Sequence, residues 1–316
     1  MKLFDLHCDT IWACETKHQM LASNDLHIDV QKLQNGQSYA QCFAAFIDRE
    51  ECKRRKQTPY ARYQELLSCF RKQQKENEDS LVQAFTPGDL SDIEKAGKIA
   101  AILTVEGGEV LEEDMQRLDT LYEDGVRMLT LTWNYENELG YPHGIGGHLK
   151  AFGFEAVERM NELGMIVDVS HLSDEGFYDV LHHSRKPIAA SHSCARSICA
   201  HTRNLSDAML RAIGENGGVV GINFYGTFLE KEGAIATPEL ICSHARHILH
   251  FAGEDALAFG SDYDGMDGKI SWGDCAGTQQ LVDRLSREFT PRQMEKICYR
   301  NAKRLWEDNC VKKHND

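Results

Sequence analysis

His7 and Asp9 stand two residues apart at the end of the first apolar run of this 316-residue chain, Leu3-Phe4-Asp5-Leu6. Side chains alternate faces along a strand, so this imidazole and carboxylate point the same way and can hold one divalent cation, while Cys8 between them faces the other side. Four more His, Asp or Glu residues close apolar runs: Glu106 after 99–105, His171 after 165–170, His192 after 187–191 and Asp262 after 256–261. One such residue after a strand is ordinarily a hydrogen-bonded loop group. Five such termini, on parallel neighbouring strands, would bring three imidazoles and three carboxylates to one rim. A structural zinc site would be closed by Cys and His at short spacing, whereas these groups are spread from residue 7 to residue 262 and meet only through the fold. The inventory suits two divalent ions about 3.5–4 Å apart, bridged by a carboxylate and a hydroxide, a recurrent hydrolase design. Imidazole with carboxylate favours zinc, with cobalt, manganese or iron as other occupants.

The elements that must position these groups read as alternating strand and helix. Besides the five runs above, 41–47, 126–132 and 218–224 are rich in Val, Ile, Leu, Phe and Ala with little polar alternation, as expected of strands buried on both faces. Between the strands, apolar residues recur at three- and four-residue spacing over 60–75, 112–123, 152–163, 174–184, 206–216 and 238–252. The repeat predicts an α/β fold, a (β/α)8 TIM barrel, with chemistry at the strand ends. An open doubly wound sheet is the alternative, but it gathers its ligands at a single crevice.

No Pro/Gly/Ser linker, solenoid period or low-complexity tract divides the sequence, so residues 1–316 are read as one hydrolase domain. A formal net charge of −14 argues against nucleic acid and anionic membrane surfaces as partners, and no apolar stretch is long enough to span a bilayer. The eleven cysteines show no paired framework and are read as reduced thiols of a cytoplasmic protein; Cys194 and Cys199, near the rim, are read as small buried hydrophobes. The run Lys53-Arg54-Arg55-Lys56 is expected to be a solvated helix entry or loop, and 311–316 a frayed tail. The loop 134–147, with Gly140, Gly144, Gly146 and Gly147, has the length of a lid. His143 and His148 within or beside it are read as ordinary loop or helix-start histidines, and Tyr225 and Phe228 as pocket walls.

With these residues assembled, the sequence resembles the membrane (renal) dipeptidase family, a metal-dependent branch of the amidohydrolase superfamily. The likeness runs from His7-Cys8-Asp9 through Val105-Glu106-Gly107-Gly108, Asp168-Val169-Ser170-His171, Ser191-His192-Ser193 and Arg203-Asn204 to Gly260-Ser261-Asp262-Tyr263-Asp264-Gly265. It implies a (β/α)8 barrel in which His7 and Asp9 hold one zinc, Glu106 bridges, and His171 with His192 hold the second. It further implies that Asp262 handles the proton and that Arg203 holds the substrate's terminal carboxylate. Animal members carry a histidine after Leu-Thr-Leu-Thr that contacts the substrate; here Trp133 follows Leu129-Thr130-Leu131-Thr132. An indole offers one N–H and no positive charge, so it either donates to a substrate oxygen or forms an apolar wall. The chain also lacks the secretion signal and lipid-anchor tail of animal members and looks more like a bacterial cytoplasmic relative.

The resemblance therefore implies hydrolysis of dipeptides with a free C-terminus by a hydroxide bridging two divalent metals. Asp262 would act as base then acid, and the planar fork of Arg203 would grip the carboxylate. Dipeptides are the expected partners, and a homodimer is left open. The rival readings are another amidohydrolase reaction (lactone or cyclic-amide hydrolysis, or deamination) and a non-catalytic metal-binding protein.

Overall fold

The computed structural model describes residues 1–231 and 235–310; the tail 311–316 lies outside the described residues. Its strands are β1 (Leu3–Asp5), β2 (Ser38–Phe46), β3 (Leu81–Gln83), β4 (Ile99–Glu106), β5 (Val126–Thr130), β6 (Ile166–Asp168), β7 (Ala189–Ser193), β8 (Val219–Ile222) and β9 (Leu257–Phe259). Eight of them close into a parallel barrel in the order β1-β2-β4-β5-β6-β7-β8-β9, with β9 returning to β1. These are the eight strands expected from the apolar runs.

The ninth, β3, has no counterpart in the sequence reading. It pairs with the first half of β4 (Leu81↔Ile99 to Gln83↔Ala101), while β5 pairs with the second half of β4 (Leu103↔Val126 to Glu106↔Thr130). Where β4 and β5 part at the end remote from the chemistry, β3 fills the free edge of β4. Three residues, of which Leu81 alone is buried, are too few for a periodic signal.

Burial on both faces follows from the double packing of the barrel wall. All eight residues of β4 are buried. Ala100 and Ile102 join a cluster to which every barrel strand contributes, including Phe4, Cys42, Met128, Ile166, Ala189, Val219 and Ala258; such a cluster can only be the barrel interior. Ala101, Leu103 and Val105 join the second cluster, shared with the surrounding helices. Because strand parity is two, Glu106 lies on the face of Ala100 and Ile102 and points into the barrel mouth.

Helices Pro59–Glu76, Ala151–Leu163, Asp174–His183, Asp207–Asn216 and Pro238–Ala252 match the expected ones closely. Thr58, Ser173, Ser206 and Thr237 cap four of them, each accepting a backbone N–H in the first turn. The stretch 112–123 differs: a 3₁₀ turn, Gly108–Leu111, is broken from helix Gln116–Glu123 by Glu112 and Glu113, both with positive φ. The Glu112 carboxylate is drawn aside to the Tyr60 N–H (2.9 Å) and to Arg117. Lys53, Arg54 and Arg55 end a short helix, Arg49–Arg55, paired to Glu50, Asp48 and Glu51 respectively, and Lys56 is its C-cap. All eleven cysteines are free; ten are buried and Cys69 is half-buried. Cys194 and Cys199 are packed against backbone carbonyls of Asn223 and Thr227. Among the described residues no helix is long and apolar enough to cross a membrane.

Candidate metal centre and active site

The parallel strands deliver His7, Asp9, Glu106, His171, His192 and Asp262 to one rim. Glu106 sits at its centre with its two oxygens facing different ways. Oε2 lies 3.3 Å from His7 Nε2, whose other neighbours are Asp9 Oδ2 at 3.4 Å and Asp262 Oδ1 at 4.0 Å. Oε1 lies 2.9 Å from His171 Nε2 and 3.4 Å from His192 Nε2. Two sets of three ligand atoms lie mutually within 4.8 Å, His7–Glu106–His192 and His7–Asp9–Asp262. His7 thus belongs to both sets, and its ring stacks on that of His192 at 3.9 Å. Cys8 faces away into the apolar layer between barrel and helices, as strand alternation requires.

The chain ends its strands in backbone shapes that aim these groups. His171 and Asp262 both adopt left-handed φ, 67° and 62°, uncommon for residues with a Cβ. Asp264, also left-handed, fastens the turn after Asp262 by accepting from Thr10 Oγ1 (2.6 Å) and His27 N (2.7 Å). Gly265 is required by close approach: a methyl there would collide with the carboxylates of Asp9 and Asp262.

Beneath the rim the buried Asp168, Ser191 and Asn223, and at its open side the exposed Asn134, orient these groups. Asp168 accepts from Thr130 Oγ1, Ser191 Oγ and the N–H groups of Ser170 and Ser191, all within 3.0 Å. Because the Ser191 hydroxyl donates to Asp168, its oxygen accepts from His192 Nδ1 at 2.7 Å, which leaves His192 Nε2 bare toward Glu106. Asn223 donates to Asp262 Oδ2 at 3.0 Å and accepts from Tyr225 N at 2.6 Å, so Oδ1 of Asp262 is the oxygen turned to His7. Asn134 Oδ1 lies 2.8 Å from His171 Nδ1 and 3.0 Å from His143 Nε2.

A divalent cation fits this donor set. His7 Nδ1 and Nε2 and Asp9 Oδ1 are buried without a hydrogen-bond partner, and His171 Nε2 and His192 Nε2 face each other at 2.9 Å beside a carboxylate. Burial lowers the pKa of His171 to about 4 and takes that of His192 well below its usual value, so both rings are neutral, as ligands must be. Burial opposes a charge on His7 too, but the carboxylates of Asp9 and Glu106 prevail and raise its pKa well above the ordinary value. Burial likewise raises Asp9 and lifts Asp262 to about 6. Glu106 goes the other way: burial is outweighed by His7 and the hydrogen-bonding imidazoles. A proton on His7 balances the carboxylates where a cation would do so.

Beside this cluster opens a cavity of about 220 Å³. Asp9, Glu106, His171 and Asp262 line it together with Tyr225, Phe228 and Trp133, and the Trp133 ring centroid lies 6.4 Å from that of His171. Trp133 packs edge-on to Phe46 at 4.9 Å, and Phe46 to Trp12 at 5.8 Å, an aromatic wall of which the sequence reading had only Trp133. Arg203 is 4 % exposed and lies 5.4 Å from the Phe228 ring. Its Nη1 and Nη2 donate to Ser193 Oγ (3.2 Å) and His192 O (3.0 Å), and its Nε has no partner. No carboxylate among the described residues comes within 4.0 Å of it.

The loop 134–147 is tied down rather than free. Asn137 accepts from Leu139 N and donates to Leu131 O and Glu109; Pro142 bridges to Leu172, and His143 N donates to His171 O at 2.7 Å. His148 pairs with Asp179 on the surface, an ordinary role. His143 does not fit that description, since it touches the partner of a candidate ligand. The orienting roles of Asn134, Asp168, Ser191 and Asn223 escaped the sequence reading. Asp168 carried a signal, a carboxylate inside an apolar strand that must find partners.

A family profile described as membrane dipeptidase (peptidase family M19) matches residues 1–316. An uncharacterized dipeptidase of Schizosaccharomyces pombe is 32 % identical over 300 residues, covering 89 % of this chain and 71 % of its own. An uncharacterized Klebsiella pneumoniae protein of the pqqA 5′ region is 33 % identical over 238 residues, covering 69 % and 87 %. The crystal structure of a Rhodobacter sphaeroides metallopeptidase liganded with a phosphinate mimic of L-Ala-D-Ala superposes with a TM-score of 0.90 at 23 % identity, covering 98 % of this chain and 99 % of that one; that likeness is one of fold.

Proposed function

The chain belongs to the membrane dipeptidase family, and from that premise we propose that it is a metal-dependent dipeptidase that uses two divalent cations, zinc by donor type, on dipeptides with a free C-terminal carboxylate. The observation that carries the two-cation reading is Glu106, whose oxygens divide between His7 on one side and His171 with His192 on the other. In this reading His7 and Asp9 would hold one cation, His171 and His192 the other, and Glu106 would serve both. Cations bound there would supply Lewis acidity and make hydroxide available near neutral pH.

The chain's own residues do the rest. Asp262, held at Oδ2 by Asn223, takes the water's proton at Oδ1 and returns it to the leaving amine, acting as base and then as acid. Arg203, with an unpartnered buried Nε and no carboxylate of its own, supports recognition of the terminal carboxylate. The wall of Trp12, Phe46 and Trp133 keeps bulk water from the reacting carbonyl, and Trp133 serves as apolar surface where animal relatives have histidine. Eleven unpaired thiols favour a reducing compartment, the cytoplasm.

Elemental analysis of chain purified without chelator, together with a metal-loaded screen of L-Xaa-L-Xaa and L-Xaa-D-Xaa dipeptides, tests this reading. Two equivalents of cation and dipeptide turnover are expected. Glu106→Gln is expected to loosen both cations together. Retention of both with normal turnover in that variant would remove the bridging role.

A further inference from the structure

Two histidines converge on one oxygen at the cavity edge. Asn134 Oδ1 lies 2.8 Å from His171 Nδ1 and 3.0 Å from His143 Nε2. An amide oxygen only accepts, so each ring must present N–H to it. For His171 this leaves Nε2 bare, and Nε2 is the atom 2.9 Å from Glu106 Oε1. A neutral His143 has a single ring proton, and the Asn134 oxygen places it on Nε2. With its one proton on Nε2, its Nδ1 must accept, and Thr202 Oγ1 stands 2.8 Å away to donate. Donors and acceptors alternate without conflict from Thr202 through His143 and Asn134 to His171.

The far end of the chain is equally fixed. Thr202 O accepts from Arg196 Nη2 (3.2 Å), and Arg196 is held by Asp174 through two contacts of 2.6 and 2.7 Å. The next residue is Arg203. If the Asn134 amide were turned over, its NH₂ would donate to both rings, His171 would carry its proton on Nε2, and that nitrogen could not ligate a cation. His192 obtains the same tautomer by a different route, through Ser191 and Asp168.

We propose that Asn134 and His143 are positioning residues that hold His171 in its ligating tautomer and link it, through Thr202, to the loop bearing Arg203. This rests on the metal-dependent reading given above. Outer partners of metal-bound histidines typically govern affinity by about 10- to 100-fold.

The test uses the full-length chain loaded with cobalt(II), read by chelator competition and by the visible absorption of the bound ion, with thermal melts to verify folding. Asn134→Leu removes the acceptor; one cobalt equivalent should be held about 10- to 100-fold more weakly, with an altered spectrum. Asn134→Asp keeps an acceptor at the same position and should stay within a few-fold of wild type. His143→Phe frees the amide to rotate and should fall between them, while His143→Gln, which again offers an N–H, should recover. Wild-type retention and spectrum in Asn134→Leu, or equal losses in the Leu and Asp variants, would overturn the proposal. Should Asn134→Leu not fold, the His143 pair decides: a weaker Phe variant supports the proposal, and equal retention overturns it. A wild-type chain that retains no cobalt would overturn the metal reading itself, an outcome distinct from the others.

Discussion

Asp262 and Arg203 divide chemistry from recognition, and single substitutions separate the two. Asp262→Asn keeps the shape and the contact with Asn223 but cannot accept a proton. Fully metallated variant should lose kcat by on the order of 10²-fold or more, with metal content measured on the same sample. Wild-type kcat would take Asp262 out of the mechanism. Arg203→Ala should raise KM for dipeptides and lower kcat as well, since misplaced substrate reacts poorly; Lys should rescue in part, supplying charge without the planar fork. Wild-type enzyme should discriminate strongly between dipeptides and dipeptide amides, and Arg203→Ala hardly at all. Lost packing against Phe228 would hurt both substrates alike, so equal turnover of acid and amide by wild type is the result that would point to another amidohydrolase reaction. The sequence exposed the residues that chemistry needs because their types stand out against apolar strands. It hid Asn134 and His143 because an amide and a loop imidazole look ordinary until a shared partner brings them within 3.0 Å.

Glu109 is one of the groups that tie the loop after β5: it is 2 % exposed, accepts from Asn137 Nδ2 at 3.2 Å and leaves Oε1 unpartnered. Burial pushes its pKa from 4.5 to about 7. The folded state therefore holds this proton more tightly than the unfolded chain does. The stability so gained is complete below about pH 4.5 and is lost as pH rises through about 7; over that window the change is on the order of 3 kcal/mol. Glu109→Gln, neutral at every pH, should be more stable than wild type at pH 8 and nearly equal at pH 4.5 by urea denaturation. A pH-independent difference would remove Glu109 as the cause. At this scale the barrel strands were legible because double-sided burial writes them as apolar runs. The wedge strand β3 and the break at Glu112 were not, since one rests on an edge left free by β4 and β5 and the other on a side chain diverted to cap Tyr60.

The whole molecule carries a formal charge of −14, and Asp9, Glu106, Asp262 and Asp267 line the cavity at the barrel mouth. That field favours cations, but protons compete for the same atoms. Burial raises Asp9 and Asp262, and His7 is raised well above its ordinary value by the two carboxylates beside it. Each must be unprotonated to bind metal. Affinity should therefore fall as pH falls, beginning nearer neutrality than ordinary carboxylates would dictate, with proton release on binding. Chelator competition from pH 8 to pH 5 measures it; a flat profile would contradict the proton-for-metal exchange.

The distribution of sulfur gives this barrel a built-in stopwatch. Ten thiols from Cys8 to Cys310 are buried and Cys69 is partly open, and burial lifts Cys14, Cys194, Cys298 and Cys310 to about 12, which leaves little thiolate to react. An alkylating dye added to native protein should mark Cys69 first and the rest only as the walls part. One shared slow rate would mean the staves separate together; a staircase of rates would show which stave leaves first.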